Sequence, residues 1–430
     1  MFKMLSSALK EKDIRNKILF TLGVLIIFRL GTHITVPGVN AKAISEFSDS
    51  GIFSMLNTFG GGALSQYSIF AMGVSPYITS SIVVQLLQMD IVPKFVEWSK
   101  QGEVGRKKLN QVTRYLTIIM AFVQSIGISY GFNALSGMGL IKNPGASTYL
   151  SIALILTAGT MLVMWMGEQI TVKGFGNGVS MIIFSGIVAR VPADVMDYYN
   201  AQIRNAGPDL WKAILFTLAL IVAIIAVVIL VVYCETAKRK IKISYSKRAA
   251  ASDQSTFLPL KINSAGVIPV IFASSFIVTP QTIMGFFRGT QGDTQWFQIL
   301  SNVFDYQKPI GAALYTLLIV VFTFFYAFIQ VNPEKVAENL QKQGGYIPSV
   351  RPGKGTEDYI SSVLMRLSTV GAVYLGLIAL LPIVAGILWN LPQSIGLGGT
   401  SLLIVVGVAL ESTRQLEGQM IKRSYLGFIQ

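Results

Sequence analysis

Few residues in this chain could do chemistry, and those few stand apart. Cys234 and His33 are the sole cysteine and the sole histidine, so neither a disulfide nor a Cys/His metal cluster can be assembled from this chain alone. The run RPGKGT lacks both the spacing of a phosphate-binding loop and the strand that precedes one. Glu168 and Glu411 stand at the ends of apolar runs, whereas an intramembrane protease would need a carboxylate dyad or a Ser/Lys pair at depth. The expectation is therefore no enzyme, no cofactor and no metal. What remains is hydrogen-bonding chemistry in apolar surroundings, concentrated in residues 59–90, FGGGALSQYSIFAMGVSPYITSSIVVQLLQMD. Three glycines open it, Ser75-Pro76 interrupts it, and Thr79, Ser80, Ser81, Gln85 and Gln88 follow. Unsatisfied polar groups are costly in hydrocarbon, so such a stretch must be surrounded by protein or line a wet cavity. It reads as two short pieces of helix beside a pathway.

The elements around it are membrane spans. The chain has 430 residues, 52% hydrophobic and only 13% charged, well below the charge content of a soluble domain. Residues 1–17 read as an amphipathic surface segment. Spans are predicted at 18–34, within 59–90, and at 115–132, 149–166, 178–191, 213–234, 263–280, 309–330, 363–386 and 398–410. The run 18–34 is too long for a signal peptide and no cleavage site follows it. Arg29 and His33 near its end are read as snorkelling to the interface, the run 213–234 as facing lipid, and 178–191 and 398–410 as unusually short. The segments are then 1–17, a first half of five spans at 18–191, an external loop 192–212, span six at 213–234, a basic loop 235–262, spans seven and eight at 263–330, a second loop 331–362, spans nine and ten at 363–411, and a tail 412–430.

The formal charge of +14 is a topology signal before it is a partner signal. Lys and Arg number 27 on the amino-terminal side of the spans and 7 on the other, which predicts both termini inside. An internal repeat then pairs the halves. Gly73, Val74, Pro76, Ile78 and Ser81 match Gly266, Val267, Pro269, Ile271 and Ser274, each pair 193 positions apart. Gly178, Ser180 and Ile183 likewise match Gly399, Ser401 and Ile404. Five spans per half make the halves inverted, and interrupted helices at matching positions point to a central site. The fold class expected is an all-α polytopic membrane protein, ten transmembrane helices in two inverted halves around a central pore.

The matched residues Val74, Ile78, Ile183, Ile271 and Ile404 admit two readings. They are either ordinary helix packing or an aliphatic gasket that excludes water and ions by dewetting. A secondary transporter built on the same repeat would place charged or strongly polar groups at the midplane, and this centre has none.

The runs SIFAMGVSPYITSSIVVQLL, MGEQITVKGFGNGVSMIIFSGI and INSAGVIPVIFASS, with the loop YIPSVRPGKGTEDYI, resemble the SecY/Sec61 alpha family of protein-conducting channel subunits over essentially the whole chain. That resemblance implies a bacterial cell-membrane channel that passes unfolded secretory proteins across and releases signal sequences and transmembrane segments sideways. It implies a plug at Gly60, Gly61, Gly62, Ala63, Leu64, Ser65, Gln66, Tyr67, Ser68 and Ile69. It implies a pore ring at Val74, Ile78, Ile183, Ile271 and Ile404, with Val74 smaller than the isoleucine often found there. The second and seventh spans become a lateral gate carrying Pro76, Thr79, Ser81, Gln85, Asn177, Pro269 and Ser274. Gln85, Asn177 and Ser274 are either a hydrogen-bonded cluster tuning that gate or packing contacts. Arg351, Pro352 and Gly353, supported by Lys247 and Arg248, would dock a SecA-like motor ATPase or the ribosome. Small SecE-like and SecG-like membrane subunits, the secretory precursor with its signal peptide, and the lipid bilayer complete the implied partners.

Overall fold

The computed structural model describes residues 10–40, 57, 60–89, 91–136, 141, 144–204, 210–245, 256–284, 287, 294–389 and 398–426. In chain order these form α1 (Lys12–Gly31), α2 (Ser75–Leu87), α3 (Pro93–Lys100), α4 (Glu103–Ser136), α5 (Ala146–Lys173), α6 (Gly178–Tyr198), α7 (Leu210–Thr236), strands β1 (Lys238–Tyr245) and β2 (Thr256–Lys261), α8 (Ile268–Met284), α9 (Gln295–Phe304), α10 (Pro309–Gln330), α11 (Pro333–Lys342), β3 (Gly345–Tyr346), α12 (Lys354–Trp389) and α13 (Gly398–Leu426). The ten expected spans correspond to α1, α2, α4, α5, α6, α7, α8, α10, α12 and α13. Six described helices are long and apolar enough to cross a membrane alone. The other four are shorter or more polar, and need the bundle around them.

Helix starts follow local chemistry. Proline occupies the first turn of α2, α3, α10 and α11, where its missing N–H has no intrahelical partner to lose. Asn177 caps α6 by accepting from Val179 N at 3.2 Å and Ser180 N at 3.4 Å, and Asn332 caps α11 through Lys335 N at 3.1 Å. The repeat carries through to geometry. Gly73 and Gly266 both adopt positive φ, 53° and 64°, and α2 and α8 begin two residues after each.

Four expectations change. Residues 60–74 form turns rather than a first piece of helix, because Gly61, Gly62, Tyr67 and Gly73 all take positive φ. The fifth span is not short: α6 has 21 residues and runs through Pro192 into a six-residue π turn, Tyr199–Arg204. Nor is the tenth, since α13 is 29 residues long and continues beyond its apolar part. The loop 235–262 contains an antiparallel hairpin in which Ile241 pairs with Leu258 and Lys240 with Pro259. Pro259 fits because β2 is an edge strand, the order being β2-β1-β3.

One apolar core joins the halves. It runs from Phe28, Leu64 and Phe70 through Ile78, Ile183 and Ile271 to Tyr374 and Ile404. A second cluster packs Ile241, Ile243 and Leu260 of the hairpin on Leu340, Ile347, Ile360 and Val363. In α7 only Val231 and Glu235 are buried, as a helix facing lipid requires. Close approach in the core depends on Gly159 of α5, where an added Cβ would stand 1.8 Å from the Ile69 carbonyl oxygen. Gly159→Ala should therefore lower stability by about 1–3 kcal/mol, read as a reduced Tm of the detergent-solubilised protein. Gly23→Ala, which meets nothing within 4 Å, should leave Tm unchanged or slightly raised.

Candidate functional site

The centre of the bundle is built on the chain between α1 and α2. Residues 60–74 are non-helical and inside the bundle, so their backbone needs partners from elsewhere. Val36 N donates to the Tyr67 carbonyl at 3.0 Å and Ile69 N to the Ile34 carbonyl at 2.9 Å, joining this segment to the chain leaving α1. Asn57 accepts from Gly62 N at 2.8 Å through its carbonyl and from Ser65 N at 3.1 Å through Oδ1. Arg29 does not snorkel. Its guanidinium donates to the Gly61 carbonyl and, at 3.5 Å, to Thr32 Oγ1, so it holds the expected plug. His33 Nδ1 lies 3.1 Å from Gln66 Oε1. Tyr67 is buried with its hydroxyl 2.7 Å from Ser129 Oγ. Ser129 itself donates to the Ser125 carbonyl, which leaves the tyrosine as donor.

Immediately beyond this segment come the five matched aliphatics. Val74 is the N-cap of α2 and Ile78 lies one turn on. Ile271 is in the first turn of α8, Ile183 on α6 and Ile404 on α13. All five are at most 5% exposed, and all belong to the cluster that contains Ala63, Leu64, Tyr67 and Phe70 of the preceding turns. Only two charged side chains are buried among the described residues, Arg190 and Glu235. Arg190 lies about two turns beyond Ile183, paired with Asp194 at 3.2 Å. On that side of the five aliphatics Arg29, His33, Gln66, Arg190 and Asp197 line a polar cavity of about 210 Å³.

Between α2 and α8 the polar contact is one that sequence reading half found. Thr79 Oγ1 lies 3.0 Å from Thr279 Oγ1, and Gln124 of α4 donates to Thr279 at 3.1 Å. The expected cluster of Gln85, Asn177 and Ser274 does not hydrogen-bond together. Gln85 donates to Ser81 on its own helix at 3.1 Å, Asn177 is spent on capping α6, and Ser274 donates to the Ile271 carbonyl at 2.8 Å. Short polar side chains on these helices bond back to their own turn first. Thr279 and Gln124 were missed because nothing in the repeat marks them.

Beside the hairpin, Arg351 and Pro352 are exposed. Their loop is fixed by Thr356, whose hydroxyl donates to the Arg351 carbonyl at 3.1 Å, and by Gly353 at φ 85°. Pairing of Ser244 with Tyr346 and of Tyr245 with Gly345 joins this loop to the hairpin. Lys247 and Arg248 lie outside the described residues. At the open end of the hairpin, where Lys261 pairs with Lys238, desolvation with Arg414 beside it lowers the Lys261 ammonium from its ordinary range, opposed by Glu235 and Glu411. Glu168 forms a bidentate pair with Arg114, at 3.0 and 2.6 Å. The alternating pattern of Lys240, Ile241, Lys242 and Ile243 is the signal that could have found the hairpin.

The SecY family model matches residues 68–413. The chain is 61% identical to protein translocase subunit SecY 1 of Lactobacillus kefiranofaciens subsp. kefiranofaciens and 56% identical to protein translocase subunit SecY of Bacillus subtilis, with complete coverage of each pair. Among solved structures it is similar to a SecY channel whose plug domain stabilises the closed state and maintains a membrane seal, at TM-score 0.67 and 19% identity over 96% of this chain and 93% of that one. It is similar also to Sec61 in the canine ribosome-channel complex from the endoplasmic reticulum, at TM-score 0.65 and 18% identity over 96% and 94%. A ten-helix bundle, a buried aliphatic centre and these full-length likenesses agree: the chain belongs to the SecY family of protein translocase subunits.

Proposed function

We propose that this chain is the pore-forming subunit of a protein-conducting channel, sealed at rest by residues 60–69 as plug and by Val74, Ile78, Ile183, Ile271 and Ile404 as ring. The observation that carries this is the single buried cluster in which the ring positions, drawn from four different helices, meet the turns that precede α2. Branched aliphatics packed this way leave no wet path, yet they carry no bond that must break when they part. The relative with a sealing plug domain supports the assignment of the turns.

Lateral release falls to α2 and α8, in contact through Thr79 and Thr279. In this reading Pro76, Ser81, Gln85, Pro269 and Ser274 shape the two gate helices, and Asn177 acts by fixing the start of α6 beside them. The chain is a conduit without a chemical step of its own, so energy comes from outside. A SecA-like motor or the ribosome would dock on the loop of Arg351, Pro352 and Gly353, supported by Lys247 and Arg248, which follow Tyr245 of β1 in sequence. The ribosome-bound canine relative supports the second of these. SecE-like and SecG-like subunits would pack on the lipid-facing helices. The distribution of Lys and Arg supports both termini on the cytoplasmic side.

Replacing Ile78 and Ile271 together by glycine should raise ion conductance of the resting channel severalfold in planar bilayers; conductance equal to that of the native chain would remove the ring from the seal. Arg351→Glu should abolish ATP-driven protection of a secretory precursor in proteoliposomes that also contain a SecE-like subunit and a SecA-like motor. Assembly with the small subunit, read by co-purification, should persist. Native export by that variant would count against the docking assignment.

A further inference from the structure

Glu235 is a buried carboxylate that the ring, the plug and the gate contact do not use. It accepts from Asn263 Nδ2 at 2.6 Å, and the same amide nitrogen donates to the Gly266 carbonyl at 3.0 Å. Arg414 of α13 donates to the Glu235 backbone carbonyl at 2.7 Å, and Ile262 N to the Ala237 carbonyl at 3.1 Å. Neighbouring helices leave room for this junction. A Cβ on Gly371 of α12 would meet the Ile262 carbonyl oxygen at 3.3 Å, and one on Gly407 of α13 would meet Val267 at 2.5 Å.

The junction sits between two bodies that must communicate. On one side is the cytoplasmic platform, stiffened by the three-stranded sheet and its own apolar cluster. On the other is α8, one of the two gate helices. The connecting residues 262–267 have no helix or strand of their own, and Gly266 takes a positive φ, so backbone alone would let α8 swing. A buried carboxylate carries a desolvation penalty that an apolar pair would avoid, so its value here is in position rather than in stability. We propose that Glu235 and Asn263 form a strut that sets the cytoplasmic end of α8 against the platform, so that a partner pressing on the platform moves the gate. Glu235 and Asn263 are positioning residues, and the proposal rests on the gate reading above.

The test uses the full chain in membrane vesicles, with Thr79→Cys and Thr279→Cys in a Cys234→Ala background, and reads the oxidative cross-link per folded channel. Addition of a signal peptide to this parent should lower the yield; if it does not, the gate reading itself fails. Given that response, Asn263→Ala and Glu235→Ala should each lower the resting yield about fivefold, the scale of one net hydrogen bond. The double variant should fall no further, because both substitutions remove the same strut. Glu235→Gln keeps the acceptor and should hold the parent's yield. Glu235→Asp withdraws the acceptor by one methylene while keeping the charge, and should behave like the alanine variants even if those do not accumulate. A parent-like resting yield in Asn263→Ala or Glu235→Asp overturns the strut, and so does Glu235→Gln falling as far as Glu235→Ala.

Discussion

Everything at the centre of this protein depends on satisfying backbone polar groups where water is scarce. Helices do this internally, but the segment proposed as a plug is not a helix. The turns at 60–74 therefore borrow partners from Ile34, Val36, Asn57 and Arg29. An arginine near the end of α1 is costly in a membrane, and here its charge is turned toward a peptide carbonyl of the glycine run. The bulky seal of Phe70 stacked on Phe28, with ring centroids 5.7 Å apart, then packs over Gly31. A Cβ at Gly31 would strike the Phe70 ring at 2.0 Å. Polar satisfaction and shape are met by the same few residues, which ties the position of residues 60–74 to the end of α1.

The contact between α2 and α8, proposed as the gate, follows the opposite economy. Thr79 and Thr279 touch across α2 and α8, yet each hydroxyl also has an acceptor within its own helix, Ser75 and Ser275, at 3.1 and 2.8 Å. Separation of the helices leaves neither hydroxyl orphaned. Interhelical side-chain bonds in membranes average about 0.6 kcal/mol, so a contact with a ready intrahelical substitute resists opening only weakly. A strong ion pair at this place would have locked the channel. The buried charges lie elsewhere, Arg190 beside the polar cavity of Arg29 and His33 and Glu235 at the junction with the hairpin, where fixed geometry is useful and separation is not required.

Much of this was legible because two periodic signals survive in the sequence: apolar runs long enough to span, and a repeat that marks equivalent turns in the two halves. The five aliphatics proposed as a ring all lie at positions that this repeat pairs, Val74 with Val267, Ile78 with Ile271 and Ile183 with Ile404. What escaped did so for physical reasons. The extents of α6 and α13 were underestimated because helices continue past their apolar parts, and hydropathy ends where the lipid does. The hairpin was hidden by its lysines, although Ile241 and Ile243 alternate with them. Glu235 was invisible because it is the first polar residue after the most apolar run, where a charge normally meets water; its burial is created by Asn263, 28 positions later. Gln85, Asn177 and Ser274 were grouped by helix membership, and local backbone acceptors or a cap won over contacts between helices.

The repeat itself has a physical reading that accounts for its three most specific residues. α2 and α8 both begin at the level where the ring is built, so their first-turn amides face an apolar interior rather than water. A helix start leaves N–H groups without intrahelical partners, and each one buried there is expensive. Proline as the second residue of both helices, Pro76 and Pro269, removes one such donor outright. The glycine two residues before each start, Gly73 and Gly266, takes the positive φ that turns the chain into the helix. The valine between glycine and helix, Val74 or Val267, then caps the start with an aliphatic side chain where most helices would use a polar one. A polar cap at Val74 would bring a hydroxyl or carboxylate, with its water, into the ring. Glycine, valine and proline at this spacing thus follow from one requirement, that two helices begin inside a seal without wetting it.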